Sequence, residues 1–246
     1  MGDFLLRAKM HYSFSGQEQK EFLITAFVTA FILTFRKWGT VTFDAEQGII
    51  NILLAFVLVA IIMFVHISAQ KLLALKLGFV ATYTYWLNGL FAGLILAFFS
   101  YGFVPIILTG TVLIEHHARL RLGRFRYGLN YKDLAKISFA GIFANLLMIL
   151  LMKPLVQFSG SPALQELATT IIWMNVLIAA YGMLPFKNTN GLNIFMASRP
   201  AYVFCLVLVL IYSFLVLSTG IFSLILAAVL ALFVTWIFLT IVDKPG

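Results

Sequence analysis

Acidic side chains are scarce in this chain: 9 Asp and Glu against 17 Lys and Arg in 246 residues. Charged residues of both signs make up only 11%, where a soluble domain carries about a quarter. Cysteine is nearly absent as well. Cys205 stands alone in an apolar run, which excludes an internal disulfide and leaves the redox compartment open. Repeats, low-complexity tracts and a separate soluble domain are missing. No signal peptide is expected, because the first twenty residues, MGDFLLRAKMHYSFSGQEQK, have neither an apolar core nor a cleavage site. Leu6 stands where myristoylation favours Ser or Thr, so lipidation is not expected either.

What the chain has instead is apolar surface: 62% hydrophobic residues and a mean hydropathy of +1.02. That much cannot be hidden in one core of this size, so the chain belongs in a bilayer. The formal charge of +8 is read the same way, because the basic residues cluster beside apolar spans. No specific nucleic acid and no small-molecule substrate are expected as partners.

Six spans are predicted, at 21–37, 49–70, 137–153, 167–185, 201–218 and 220–242. Polar loops separate them at 38–48 and 154–166. Between the second and third spans the pattern is irregular. FVATYTY, 79–85, is β-branched and aromatic and reads as a strand. Residues 86–101 are apolar and helical, with Gly89 and Gly93 four apart, and 102–114 is β-rich around Pro105 and Gly110. A basic stretch, 115–136, follows. With both termini cytoplasmic and 86–114 dipping in and returning, only Arg36, Lys37 and Lys153 fall on the far side. The fold class expected is therefore an all-α polytopic membrane protein of about six helices, with a re-entrant, partly β segment between the second and third. Its parts are a cytoplasmic segment 1–20, a membrane core 21–200 and a C-terminal pair of helices 201–246. No Asp, Glu, Lys or Arg lies deep in the middle of a clear span, which gives a transporter or channel little support.

Chemistry-bearing residues gather in three places. His66 and Gln70, in VHISAQ, share one helix face four residues apart. SFAGIFANLL, 138–147, offers Ala140, Gly141 and Ala144 for close helix approach and Asn145 as a polar group at membrane depth, either interhelical hydrogen-bond glue or a cavity residue. GMLPFKNTNGLNIFM, 182–196, breaks its helix at Pro185 and continues through Asn188, Asn190 and Asn193. Glu115, His116 and His117 read as a solvated loop, and HHARLRLGRFR as a segment for anionic head groups.

The order of these motifs resembles the site-2 protease family of intramembrane zinc metalloproteases, above all short archaeal members with little beyond the membrane core. That family carries H-E-x-x-H on one span, a β-like excursion, A-G-P-x-x-N on the next span, and L-P-x-P-P-L-D-G at the end of another. His66 stands at the first histidine, with Ile67 at the glutamate and Gln70 at the second histidine. AGIFAN, 140–145, has Ile142 for the proline, and LPFKNTNG, 184–191, has Asn190 for the aspartate and ends in Gly191. LTGTV, 108–112, resembles the turn in the excursion, with Thr109 for proline. The match covers roughly residues 12–200.

The resemblance implies a site with one of three zinc ligands left and no general base. A catalytic zinc needs three protein ligands and a water, so neither zinc nor another cofactor is expected. His66, Gln70 and Asn190 are expected to form a neutral polar cluster, less costly in low dielectric than unpaired carboxylates. The function implied is a catalytically inactive homologue that binds transmembrane segments of other proteins or serves as a subunit of a membrane complex, its partners being the bilayer and other membrane proteins. The alternative is an active zinc protease with an atypical site.

Overall fold

A computed structural model describes residues 2–39, 43–116, 130–218 and 222–242. The chain is a mostly helical, multi-pass membrane protein: among the described residues, five helices are long and apolar enough to cross a bilayer. It forms two compact units, Met1–Leu129 and Asn130–Gly246. The basic run from His117 to Leu129, and with it the expected head-group contact, lies outside the described residues.

In the first unit, α1 (Gly2–His11), which the sequence pattern did not suggest, leads to α2 (Gly16–Thr34). α2 starts five residues before the expected span because SGQE forms a capping box. The Ser15 hydroxyl accepts from Glu18 N at 3.2 Å, and the Glu18 carboxylate accepts from Ser15 N at 2.8 Å. α2 is not among the five apolar helices, since Glu18, Lys20 and Glu21 sit in its first turns. Its buried face is Glu18, Glu21, Thr25, Ala26, Thr29, Ala30, Ile32 and Thr34, while Leu23, Ile24 and Phe27 are exposed. Ile32 apart, the inward groups are polar or small and large apolar ones face outward, as suits a helix against lipid.

α3 (Ala45–Leu77) runs 33 residues, about 50 Å at 1.5 Å per residue, well beyond a 30 Å hydrocarbon core. The Asp44 side chain caps its start by accepting from Gln47 N at 3.0 Å. Gly78, at φ 86°, ends it in the left-handed conformation that glycine adopts without strain. The chain then enters β1 (Phe79–Thr84), turns through α4 (Leu87–Phe99), and returns as β2 (Thr111–His116). The strands pair antiparallel with Phe79 opposite His116 and Thr84 opposite Thr111. The strand expected at 79–85 and the helix at 86–101 are present. Of the second β stretch only Thr111–Ile114 is strand, because Tyr101 to Gly110 contains Pro105 and positive-φ positions at Tyr101, Gly102 and Gly110; β2 then runs on through Glu115 and His116, expected as loop, which pair with Val80 and Phe79. A side chain at Gly110 would collide with the Thr84 carbonyl, so glycine is required there.

In the second unit, α5 (Tyr131–Phe158), α6 (Pro162–Gly182), α7 (Asn190–Ala197), α8 (Arg199–Ser218) and α9 (Ser223–Ile241) pack around one apolar core. α5 and α6 form an antiparallel hairpin that includes most of the expected loop 154–166. α5 continues through Pro154, and α6 begins at Pro162. A proline at the first helical position loses no intrahelical bond. Pro154 sits one turn from the end of α5, where packing against α6 compensates for the missing donor. The core joins Ile142, Leu146 and Ile149 of α5 to Ile172, Val176 and Ala179 of α6, and to Tyr202, Val209 and Tyr212 of α8.

Candidate functional site

His66, Ile67 and Gln70 lie together in the lower half of α3, and all are buried. Ile67, at 2% exposure, packs as a core residue. It brings neither a proton acceptor nor a metal donor beside His66. Ser68, between them, hydrogen-bonds the Tyr12 hydroxyl at 2.7 Å.

That contact belongs to a network that sequence reasoning missed. The chain from Tyr12 to Glu18 is strapped across this part of α3. Lys71 Nζ donates to the Ser13 carbonyl and to Glu18 Oε1, each at 2.6 Å, and lies 4.1 Å from the centre of the Phe14 ring. Phe14 in turn stacks on Phe64. The same Glu18 oxygen accepts from Tyr83 N at 2.7 Å, and Glu21 accepts from Tyr85 N at 3.0 Å. Two carboxylates one turn apart on α2 thus receive two alternate N–H groups on the outer side of β1. The Tyr83 hydroxyl donates to the Thr109 carbonyl at 2.6 Å, which fixes the excursion's turn to the sheet. The signal available in the sequence was S-x-x-E before an apolar run, together with a lysine inside a long helix.

In the second unit, Gly141 and Asn145 are buried on α5. Asn145 is fully buried, and neither atom of its amide has a partner among the described residues. The structure therefore does not show it as interhelical hydrogen-bond glue. Asn175, equally buried, donates to the Ile171 carbonyl at 2.9 Å but leaves its own oxygen without a partner among the described residues. Asn145 and Asn175 are each fifteen residues from Gly160 at the hairpin tip (160 − 145 and 175 − 160), so they sit at the same depth.

Pro185 follows the end of α6 at Gly182, as its missing N–H requires. Asn188, at φ 62°, supplies the left-handed residue of the turn, and the Thr189 hydroxyl donates to the Phe186 carbonyl at 2.7 Å. Asn190 is buried at the first position of α7. Gly191 has no room for a side chain, since a Cβ there would collide with the Met183 carbonyl. Asn193 donates to the Ser138 hydroxyl at 2.8 Å and so ties α7 to α5. No protein-family model matches the chain, and no curated protein and no solved structure matches it. His66 and Gln70 belong to the first unit and Asn190 to the second.

The donors present do not fit a catalytic zinc. Among the described residues, no three His, Cys, Asp or Glu side chains come together. A histidine, a glutamine and a buried isoleucine supply one good ligand where three are needed.

Proposed function

We propose that this protein is a catalytically inactive homologue of the site-2 protease family, which uses its membrane core to hold a transmembrane segment of another protein or to join a membrane complex. The observation that carries the reading is the order of elements around the altered motifs. VHISAQ lies on α3, the two-stranded sheet follows directly, AGIFAN lies on α5, and LPFKNTNG joins α6 to α7. Further support comes from the sheet. The outer side of β1 is filled by Glu18 and Glu21, whereas among the described residues no strand pairs with the outer side of β2. Alternation turns the backbone groups of Val112 and Ile114 to that side; at 2% and 7% exposure they are covered, so an extended or partly unwound segment adding there as a strand would first displace that cover.

In this reading α2 is the sixth span, its two acids being spent on the sheet. The α4 excursion re-enters the membrane, and both termini face the cytoplasm. The substitutions at Ile67, Gln70 and Asn190 would remove hydrolysis but leave the outer side of β2.

The test places a photo-crosslinking amino acid at Leu113, which is 51% exposed on β2, and at Phe233, which is 56% exposed on α9, as a lipid-facing control. The expected result is a discrete adduct with a transmembrane segment from position 113 only, lost when Val112→Pro removes an edge N–H. Equal, diffuse labelling from both positions would reject the groove. Zinc per chain, measured by mass spectrometry beside His66→Ala, separates the rival. A value near one that is lost in the variant would make the active protease the better reading.

A further inference from the structure

In the first unit, α4 lies alongside α2 and points the same way. Just before it starts, Tyr85 N donates to Glu21, in the second turn of α2. Further along, Gly93 faces Ile32, and the Phe98 ring packs against Phe31 and Phe35 at 6.2 and 4.9 Å between centres. Past the end of α4, Gly102 sits against Phe35 and Arg36, and the Arg36 guanidinium lies 3.9 Å from the centre of the Phe103 ring. The chain then returns along α4. Ile106 passes Gly93 and Leu108 passes Gly89, where the missing side chains leave room for it, and Gly110 closes against Thr84. Glu21 and Arg36 are 15 residues apart (36 − 21), about 22 Å along α2. The 13 residues of α4 rise about 20 Å, and extended chain over 103–110 covers about 25 Å.

Two polar levels show how deep that is. At one, Glu18 pairs with Lys71; at the other, the Asn51 amide donates to the Lys37 carbonyl at 2.9 Å. Lys71 and Asn51 are 20 residues apart on α3 (71 − 51), about 30 Å, which is about the thickness of a hydrocarbon core. The sheet lies at the Glu18 level and the tip, 100–104, at the Lys37 level. The tip carries the side chains of a membrane–water boundary. Phe99, Tyr101 and Phe103 are 87%, 77% and 68% exposed, beside the exposed cations Arg36 and Lys37. Asp44 and Glu46 begin α3 at the same end, but among the described residues neither forms an ion pair with these cations. The turn itself is closed by Ser100, whose hydroxyl accepts from Val104 N at 3.2 Å and whose carbonyl accepts from Phe103 N at 3.0 Å.

We propose that the excursion is a full-depth hairpin whose tip seats in the phospholipid head-group layer on the membrane face opposite the sheet. There the Arg36 guanidinium and the Tyr101 hydroxyl would meet head-group phosphates, while Phe99 and Phe103 rest on the acyl boundary. The proposal rests on α2 being the sixth span, and on no other part of the proposed function.

The test uses the full chain with Cys205→Ala in sealed vesicles of known orientation. Single cysteines, Lys20→Cys, Lys37→Cys and Tyr101→Cys, meet a membrane-impermeant maleimide from each side in turn. The expected result is that Lys20→Cys reacts from one side only, and Lys37→Cys and Tyr101→Cys from the other only. Should Tyr101→Cys fail to fold, Phe99→Cys carries the test. Lys20 and Lys37 on opposite sides, with the tip reacting beside Lys20 or from neither side, would overturn the proposal and leave α2 as a span. Lys20 and Lys37 on the same side would overturn both. Nitroxides on the same cysteines then read depth from collisions with oxygen and with a nickel chelate. The tip is expected between a label at Phe27→Cys, in the hydrocarbon, and a free nitroxide in buffer. A depth equal to either would overturn the head-group contact.

Discussion

The two units treat buried polarity in opposite ways. In the first, the buried charges are matched: Glu18 takes Lys71 and two backbone N–H groups, and Glu21 takes the Tyr85 N–H and the Gln17 amide. In the second, Asn145, the Asn175 oxygen and the Tyr212 hydroxyl have no partner among the described residues, and Lys153 has no described carboxylate. A matched network holds backbone in place, here the strand β1 and the strap from Tyr12. An unmatched group costs stability unless something else satisfies it. The difference teaches where to look for ligands: the first unit has spent its buried charges on its own sheet, with the Thr29 hydroxyl left without a described partner, and the second has kept more of its polar groups unspent.

The largest effect is expected from breaking the matched network. Lys71→Met strands the Glu18 carboxylate in a buried setting and is expected to cost about 3–5 kcal/mol, read as a lower unfolding midpoint in detergent. Glu18→Gln is expected to cost less, because the amide oxygen still accepts from Tyr83 N.

A smaller effect is expected at the turn between α6 and α7. Gly191→Ala forces a side chain against the Met183 carbonyl and should cost about 1–3 kcal/mol of stability, as overpacking does. Gly160→Ala, where a Cβ meets nothing within 4 Å, is the control and should leave the midpoint unchanged.

The smallest effect has the opposite sign. Asn145→Leu removes a buried amide whose atoms have no described partner and should raise stability by about 1 kcal/mol. An unchanged or lowered midpoint would show that the Asn145 amide has a partner worth keeping.

Much of the fold was legible because hydropathy and the strand pattern are local properties. The long apolar runs, the strand at 79–85 and the break at Pro185 all follow from short-range chemistry. The starts of α2 and α6 were legible in principle, as S-x-x-E and Ser-Pro, but read as loop because those residues are polar. α1 and α7 carry no long apolar run and gave no signal at all. For the candidate site, the sequence identified His66, Gln70, Asn145, Asn190 and Gly191 as unusual, but not which of them would have partners.

Composition by itself determined that this chain lives in a bilayer, because 62% hydrophobic residues leave too little polar surface for water. It also determined that His66 lacks a metalloprotease's companions, since Ile67 and Gln70 are fixed by the chain alone. Only the tertiary structure decided where the charges go. Glu18 meets Lys71 across 53 residues and Tyr83 across 65, while Lys153 meets Val216 across 63 and Ser223 across 70. No local pattern encodes such pairings. In a low-dielectric interior a polar group takes whichever partner the packing brings within reach, and packing is a property of the whole chain.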